Sequence, residues 1–442
     1  MSIELVKSLQ SAGVKFLRVT FCDNANVIRA KAIHLGILEE NLEYPVGITA
    51  AQQALPVMCD EVVNKSGLGP VGEIWLVPDW STVKVLPYAP THARVMGDMV
   101  EDQKPWSLCP RYFLKRAIAA GKQAGIEVMA AFENEFSLLH GVKNEIIPSD
   151  HTVFAATLGM DLNRKIIDAI ADALVAQDIT VERYYPESGP GQHEISIRYT
   201  SAMQAADRQI AFRETVRAVA IELGFKASFL PKIFANCAGN GCHLHLSLWQ
   251  EGKNIIGDGA GKLSPTALAF IGGILHHLPG LMALTTPSTN SYRRIRPHCW
   301  SGAFKAWGYD NREGAVRVPS NPVAPTPTHF ELKTSDASAN PYLALGAVIF
   351  AGLDGVRNNL DPGQPVEIDP GNFSQVELAD RGISPLPQNL GEAIEHLSRD
   401  RLLLDALGIE LSRAYLAVRK AEWNAMKEME LDEEVNLLLE RY

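Results

Sequence analysis

The sequence predicts an α+β protein in which a small β-rich domain precedes a larger α+β domain. Short runs of β-forming residues fill the first hundred positions, and a segment with proline near both ends follows at 104–110. Beyond it, long amphipathic patterns alternate with pairs of short strands. We therefore place the two domains at residues 1–103 and 104–442.

The first domain is predicted to be a sheet with tight connections. Gly, Pro and Asn separate its β-rich runs, and no long helical pattern lies between them. The segment 104–110 is interpreted as a linker. The predicted strands span residues 14–21, 27–33, 74–77 and 91–99.

The second domain carries apolar residues at helical spacing in several long segments. In the segment 161–177, for example, Leu162, Ile166, Ile170 and Leu174 fall on one face. Such stripes indicate core packing and carry no function of their own. The predicted helices span residues 110–124, 161–177, 202–223, 266–278, 341–356, 390–407 and 410–429.

The composition limits the class of protein. Of the 442 residues, 46% are hydrophobic and the formal charge is −10, which argues against a general binder of nucleic acid or anionic membranes. The segment 1–10 lacks the apolar core of a secretory signal, and the apolar stretch 342–353 is too short to span a bilayer. The six cysteines are scattered without CxxC spacing. We expect a cytoplasmic protein with reduced, mostly buried thiols.

Acidic residues and histidines recur on short β-rich segments of the second domain. In a strand, residues two apart project from the same face, so these polar side chains share one face while Leu244, Leu246 and Leu332 pack on the other. Glu187 and Glu194 flank a Gly-rich turn. The polar residues are Glu133, Glu135, Glu187, Glu194, His243, His245, Ser247, Glu331 and Lys333.

Clustered acids that face one way repel one another unless a cation neutralises them. Carboxylate ligands favour Mg²⁺ or Mn²⁺, and Mn²⁺ also tolerates histidine. A solvated sheet face would explain one Glu-x-Glu pair, and a core histidine would explain one His-x-His pair. The segments taken together favour a metal site.

A cationic segment follows, with five arginines within 25 residues, from Arg293 to Arg317. Arginine's planar fork suits phosphate and carboxylate oxygens, although a solvated surface would also carry arginines. Metals and arginines together indicate phosphoryl transfer. The sequence contains neither GxxxxGK[ST] nor GxGxxG, so we expect neither a P-loop nor a Rossmann nucleotide site.

These motifs resemble those of the glutamine synthetase family over nearly the whole chain. The matching segments are Phe132-Glu-Asn-Glu-Phe136, Gly189-Pro-Gly-Gln-His-Glu194, Gly239-Asn-Gly-Cys-His-Leu-His-Leu-Ser247, Asn290-Ser-Tyr-Arg-Arg294, Trp307-Gly-Tyr-Asp-Asn-Arg312 and Asn340-Pro-Tyr-Leu343. The resemblance implies a β-grasp N-terminal domain and a catalytic domain whose curved antiparallel β-sheet is flanked by helices. It also implies a homo-oligomer of face-to-face rings, commonly a dodecamer of two hexameric rings.

The resemblance implies roles for individual residues. One of two metal ions would be held by Glu135, Glu187 and Glu194. The second would be held by Glu133, His243 and Glu331. Glutamate would be bound by Asn240, Gly241, Arg294, Arg312 and Lys333. ATP would be bound by His245, Ser247 and Arg317.

The implied reaction belongs to nitrogen metabolism and has two steps. ATP phosphorylates the γ-carboxylate of glutamate, and an amine then displaces phosphate to leave a γ-glutamyl amide. The metals and arginines, Arg312 among them, neutralise charge on the transferring phosphoryl group.

Three departures from the family pattern concern the substrates. Trp300 stands where ammonia-using members carry a glutamate that closes over the site, so it is a candidate catalytic residue. The stretch 46–52 has no acid where those members carry an ammonium-binding aspartate. Lys333 replaces an arginine and lacks its bidentate geometry. Trp300 would contact an alkyl or aryl amine; alternatively it only packs, and another acid serves.

Three functions follow from these residues. The first is an ATP-dependent ligase that joins glutamate to a polyamine, ethanolamine or an alkylamine. The second is a true glutamine synthetase that uses ammonia. The third is a non-catalytic ring-forming relative, against which the complete set of six metal ligands argues, because buried like charges are costly to retain.

Overall fold

The computed structural model describes residues 3–41, 44–140, 145–321, 323 and 326–442, and these residues form two sheets with flanking helices. The first two residues of the segment 1–10 considered above lie outside this description. The smaller sheet belongs to the N-terminal region and the larger sheet to the rest of the chain. This division confirms the predicted α+β class.

The N-terminal region folds into a mixed sheet. Its elements are α1 (Ile3–Ser11), β1 (Phe16–Cys22), β2 (Ile28–His34), α2 (Leu35–Glu40), β3 (Val46–Thr49), β4 (Glu73–Leu86), β5 (Ala89–Glu101) and β6 (Lys104–Pro105). The strand order is β2-β1-β5-β4-β3, with β6 paired to β5. β1 and β5 run parallel, and the other neighbours run antiparallel.

The helices α1 and α2 and the strand β3 were not predicted, and two boundaries in this region also differ from the sequence prediction. β4 continues to Leu86, well beyond the predicted end at residue 77, because it forms a long hairpin with β5 that is only half buried. The expected linker 104–110 begins with β6, so this hairpin of β5 and β6 crosses the predicted 103/104 boundary. The exact domain boundary stays a prediction.

The second region supplies the larger sheet and most of the helices. Its strands are β7 (Glu127–His140), β8 (Ile147–Pro148), β9 (Val181–Pro186), β10 (Gln192–Ile197), β11 (Thr200–Ser201), β12 (Phe225–Ser228), β13 (Cys242–Gln250), β14 (Lys253–Asn254), β15 (Phe304–Tyr309), β16 (Gly314–Val318) and β17 (Phe330–Leu332). Its helices are α3 (Pro110–Gln123), α4 (Thr157–Val175), α5 (Ala202–Glu222), α6 (Pro265–Thr285), α7 (Ser291–Arg294), α8 (Pro341–Asn358), α9 (Gln375–Asp380), α10 (Leu390–Arg399), α11 (Arg401–Leu407), α12 (Ile409–Met426) and α13 (Leu431–Leu438).

The larger sheet has the order β15-β16-β17-β13-β7-β10-β9, and the short strands β8, β11 and β12 pair with the long strand β7. β15 and β16 run parallel, whereas the strands that carry the predicted metal ligands pair antiparallel. Leu244, Leu246 and Leu332 are buried on the core face, as predicted.

Helices α6 and α8 cross closely within the core. A Cβ atom on Gly273 would lie 2.1 Å from the Ala351 carbonyl oxygen, so only glycine permits this approach. α6 continues through Pro279, past its predicted end at residue 278. By length and composition α6 could cross a membrane, but 83% of its most apolar window is buried inside the structure. It is a core helix of this fold.

Other helices depart from the predicted pattern in identifiable ways. Leu162 is 60% exposed because α4 presents only part of its apolar stripe to the core. The predicted helix 390–407 breaks at Asp400, whose carboxylate caps the start of α11 by accepting from the Leu403 N–H at 3.1 Å. The six cysteines are free, as expected, and three of them are buried.

Arg111 joins the two regions through buried ion pairs. Its guanidinium lies 2.8 Å from Asp79 and 2.9 Å from Asp98 in the first region, and 2.9 Å from Asp207 on α5. The Tyr342 hydroxyl also donates to Asp207, at 2.7 Å. Lys115 also pairs with Asp98, at 2.6 Å, so removal of Arg111 would leave Asp79 and Asp207 without a cation.

We predict that Arg111→Met lowers the free energy of unfolding by about 3–5 kcal/mol, because it leaves the buried Asp207, and Asp79 beside it, without a cation. Urea denaturation followed by circular dichroism measures the loss. The matched control is Arg198→Met, which removes one exposed ion pair with Glu182 and should cost less than about 1 kcal/mol. Equal losses in the two variants would contradict the role assigned to Arg111.

Candidate active site

Antiparallel register brings the predicted metal ligands together across the neighbouring strands β17, β13, β7 and β10. His243 of β13 lies directly opposite Glu133 of β7, and His245 lies opposite Glu331 of β17. On the other edge of β7, Glu135 lies opposite Glu194 of β10. Residues two apart share a face of a strand, so these pairs form one polar surface on the sheet.

The predicted first metal group consists of the carboxylates of Glu135, Glu187 and Glu194. Its Oε2 atom accepts hydrogen bonds from the Gln192 side-chain amide at 2.8 Å and from the Gly241 N–H at 2.9 Å. Glu187 follows β9 directly and turns back toward β10, since its N–H donates to the Gln192 carbonyl at 2.8 Å. Buried acids that face one another in this way are unfavourable without a counter-charge.

Both Glu187 and Glu194 resist ionisation in this surrounding. Burial, followed by the negative charge of Glu135, raises the pKa of Glu187 to about 8. Burial, followed by the charges of Glu133 and Glu135, raises the pKa of Glu194 to about 10. A divalent cation would reverse this balance, because it displaces the protons and stabilises both carboxylates.

The predicted second metal group lies one strand away and contains one more histidine than expected. His243 Nδ1 is 3.0 Å from Glu133 Oε2 and 3.6 Å from Glu331 Oε2. His245 Nε2 is 3.3 Å and 3.1 Å from the same two atoms. Ligand atoms of Glu133, His245 and Glu331 all lie within 4.8 Å of one another. This group contains His245 in place of the predicted His243, so His243 stays a prediction and His245 is a second imidazole within reach.

The charges in this second group are partly compensated by the protein itself. Burial opposes ionisation of Glu133, but the neighbouring His245 and His243 hold the pKa of its carboxyl below the usual range. Burial also disfavours the charged form of His245, yet Glu133 and Glu331 raise the pKa of this imidazole to about 10. The group therefore holds positive and negative charges in one buried cluster.

Glu331 shows that the residues suit a bound cation. Its side chain is 0% exposed, and His245 Nε2 lies 3.1 Å from its Oε2 atom. Arg317 Nε approaches the other oxygen to 2.6 Å and Lys333 Nζ to 3.7 Å. A buried carboxylate in contact with cationic groups is the kind of hard oxygen ligand that Mg²⁺ and Mn²⁺ prefer.

The residues predicted to bind glutamate lie beside the metal groups. Gly241 has no room for a side chain, since a Cβ atom would lie 2.7 Å from His243 Nε2 and 3.0 Å from Glu135 Oε1. The Asn240 amide donates to the Leu230 carbonyl at 2.9 Å and so fixes this loop. Arg294 is buried and donates to the Thr334 carbonyl at 2.6 Å, close to Lys333.

The residues predicted to bind ATP follow the same strands. Ser247 lies two residues beyond His245 on β13, and its hydroxyl accepts from the Trp249 indole N–H at 2.9 Å. Arg317 lies opposite Glu331 in the register of β16 and β17. These side chains line the polar surface next to the second metal group.

Trp300 lies on a loop that leads into β15. Its side chain is 57% exposed, and the Arg312 guanidinium lies 5.8 Å from the centre of its ring. The backbone N–H of Trp300 donates to Glu313 Oε1 at 2.8 Å. Glu313 was not predicted as a site residue, although it directly follows Arg312 in the arginine-rich segment.

Comparison with known proteins agrees with the resemblance in the sequence. Residues 1–106 match the family model for the glutamine synthetase N-terminal domain, and residues 107–437 match that for the glutamine synthetase catalytic domain. The type-1 glutamine synthetase 1 of Dictyostelium discoideum is 35% identical, with 97% of this chain and 90% of that protein covered.

Two further similarities extend along almost all of the chain. The γ-glutamylpolyamine synthetase GlnA3 of Streptomyces coelicolor is 33% identical, with 96% of this chain and 93% of that protein covered. The solved structure of a GmaS/ADP complex superposes with a TM-score of 0.85 at 30% identity, covering 99% of this chain and 100% of that one. The chain therefore belongs to the glutamine synthetase family of ATP-dependent ligases.

Proposed function

We propose that this ligase joins the γ-carboxylate of glutamate to an organic amine, such as a polyamine, ethanolamine or an alkylamine. The observation that carries the proposal is the exposed indole of Trp300 over Arg312, at the position where ammonia-using members of the family carry a carboxylate. An indole offers apolar area and a cation–π face, which favour an alkylammonium over the small, strongly hydrated ammonium ion.

Other observations support an organic acceptor. The stretch 46–52 has no acid that would hold ammonium. A relative that covers 96% of this chain is named for a γ-glutamylpolyamine product. One structural neighbour is a complex with ADP, which supports a nucleotide site in the same fold.

In the proposed reaction, side chains of this chain position both substrates for phosphoryl transfer. Arg294 and Lys333, with the loop of Asn240 and Gly241, would bind glutamate. His245, Ser247 and Arg317 would bind ATP, and Arg312 would stabilise charge on the transferring phosphoryl group. Lys333 would attract the γ-carboxylate as a point charge, without the paired hydrogen bonds of an arginine.

Two divalent ions complete the proposed site. Glu135, Glu187 and Glu194 would hold one ion, and Glu133, His243 and Glu331 the other. When bound, Mg²⁺ or Mn²⁺ at these positions supplies charge neutralisation to the phosphates. The protein contributes the buried carboxylates, of which Glu331 is 0% exposed.

A glutamine synthetase that uses ammonia is the alternative function, and several relatives carry that name, including one from Pyrococcus abyssi. It would need a new source for the negative charge that binds ammonium. A non-catalytic role is disfavoured because the complete set of buried metal ligands would lower stability and serve no function.

We also propose a cytoplasmic location and a dodecamer of two hexameric rings. Exposed apolar side chains on α4, such as Leu158 and Leu162, support assembly.

We predict that Glu135→Ala lowers kcat by at least about 10²-fold, because the first metal group loses its central ligand. Isothermal titration calorimetry should show that the variant binds Mn²⁺ more weakly than wild type. Fewer protons should also be released from Glu187 and Glu194 when the ion binds. The control is Glu127→Ala, an exposed position at the start of the same strand. Near-normal activity and Mn²⁺ affinity in Glu135→Ala would refute the metal assignment.

The acceptor is identified by phosphate release with glutamate, Mg²⁺-ATP and a panel of amines that includes ammonium. We expect turnover with at least one organic amine and little with ammonium. Robust turnover with ammonium alone would reject the proposal. Absence of turnover with every amine would reject glutamate–amine ligation altogether.

Trp300→Glu should raise activity with ammonium relative to the best organic amine by about tenfold, because it replaces an apolar face with a charge. Trp300→Phe keeps an aromatic face and serves as the matched control. The measurement is the ratio of kcat/KM values for the two amines. An unchanged ratio in Trp300→Glu would show that residue 300 does not select the acceptor.

A further inference from the structure

Glu313 is a buried acid beside the predicted glutamate-binding residues, and the reaction as described so far does not use it. It directly precedes β16, whose antiparallel register with β17 places it beside the segment after Lys333. The Lys333 N–H donates to the Ala315 carbonyl at 2.9 Å, which fixes this juxtaposition. Arg294 binds the same segment through the carbonyls of Thr334 and Ser335.

Only one of the two Glu313 oxygens is occupied within the described chain. Oε1 accepts the backbone N–H of Trp300, whereas Oε2 is buried and has no hydrogen-bond partner among the described residues. The residue as a whole is 6% exposed. A buried carboxylate oxygen without a partner is unfavourable, and a ligand that supplies the missing donor would remove that penalty.

The loop of residues 296–302, here called the tryptophan loop, holds this acid against Trp300. The Arg296 N–H donates to the Ser301 hydroxyl at 2.9 Å, and the same hydroxyl donates to the Arg296 carbonyl at 2.9 Å. Trp300 has a φ of +54°, a backbone conformation that bulky residues rarely adopt. Gly302 closes the loop against β16, since a Cβ atom there would lie 2.9 Å from the Ala315 Cα.

Charged groups from each adjoining element surround Glu313. His298 of the tryptophan loop pairs with Asp369 at 2.6 Å, and Lys333 lies across the strand pair. Burial raises the pKa of Glu313; the Trp300 N–H, His298 and Lys333 oppose this rise, and Asp369 adds to it. The resulting pKa is above the usual range for a glutamate, which suits a group that accepts a proton at neutral pH.

We propose that Glu313 binds the ammonium group of the acceptor and takes its proton, while the Trp300 indole forms the apolar wall of the acceptor site. This inference rests on the proposed function, because a γ-glutamyl ligase must bind its amine as a cation and use it as a neutral nucleophile. It also explains how the chain manages without an acid at position 300.

The proposed step balances in protons and electrons. Glu313 takes one proton from R–NH₃⁺, and the freed lone pair attacks the γ-carbonyl carbon of the acyl phosphate. A C–N bond forms, the C–O bond to the phosphoryl group breaks, and its electron pair leaves with phosphate. The second proton on nitrogen passes to the departing phosphate, and Glu313 returns its own proton to solvent.

The test compares Glu313→Gln with wild type on the best organic amine, on ammonium and on hydroxylamine. The glutamine side chain keeps an oxygen that accepts the Trp300 N–H, so the tryptophan loop stays anchored while the negative charge is lost. Hydroxylamine is uncharged at neutral pH and needs no base. We expect kcat/KM for the charged amines to fall by about 10²-fold or more, and that for hydroxylamine to change by less than about threefold.

Asp369→Asn is the matched control, because it weakens the His298 contact of the tryptophan loop and leaves Glu313 in place. A pH profile adds a second readout: raising the pH should recover part of the lost amine activity in Glu313→Gln, since more of the amine is then neutral. Equal losses with hydroxylamine and with amines, or a loss in Asp369→Asn that matches Glu313→Gln, would overturn the proposal in favour of a structural role.

The comparison separates this inference from the proposed function. If wild type uses only ammonium, the proposed organic acceptor is rejected, yet the ratio of ammonium to hydroxylamine activity still tests Glu313. If an organic amine is the acceptor and Glu313→Gln retains full activity with it, the proposed function stands and the role of Glu313 is rejected.

Discussion

The site depends on a register in which one carboxylate faces another across two antiparallel strands. Glu135 and Glu194 lie directly opposite each other, although like charges at such positions oppose strand pairing. The sheet tolerates this pair because both strands are buried and well packed, and because Gln192 and the Gly241 N–H donate to Glu135. The packing energy of the fold thus keeps these carboxyl groups together, where protons or a multivalent cation must balance their charge.

Charged side chains also meet at the junction of the two regions. Arg111 and Lys115 partly neutralise three carboxylates from both regions, so ion pairs within the protein hold the junction together. At the site, by contrast, Glu313 keeps a buried oxygen that lacks a hydrogen bond from the residues described. A buried carboxylate oxygen of this kind is a candidate contact for a ligand.

The ligand-bearing strands could be predicted from the sequence because alternation of polar and apolar residues directly specifies a two-sided strand. Their register could not, since β7 and β13 pair across more than a hundred intervening residues, and local patterns carry no information about such partners. For this reason, the position of His245 beside Glu133 and Glu331 was not predicted. Glu313 was missed because its burial, and the lack of a partner for its Oε2 atom, arise only when the tryptophan loop folds over it. Leu162 was predicted to be buried because periodicity does not show how much of a helix's apolar face packs against the core.

The tryptophan loop is anchored by the backbone of residue 300 and not by its side chain. A replacement that keeps this left-handed backbone conformation and has a backbone N–H, which excludes proline, would present the same donor to Glu313. The side chain at position 300, which would contact the acceptor, can therefore change without loss of the backbone hydrogen bond that anchors the loop. A lineage of such enzymes would be able to exchange one nitrogen donor for another through single replacements at this point, while the phosphate-handling half of the sheet stays constant.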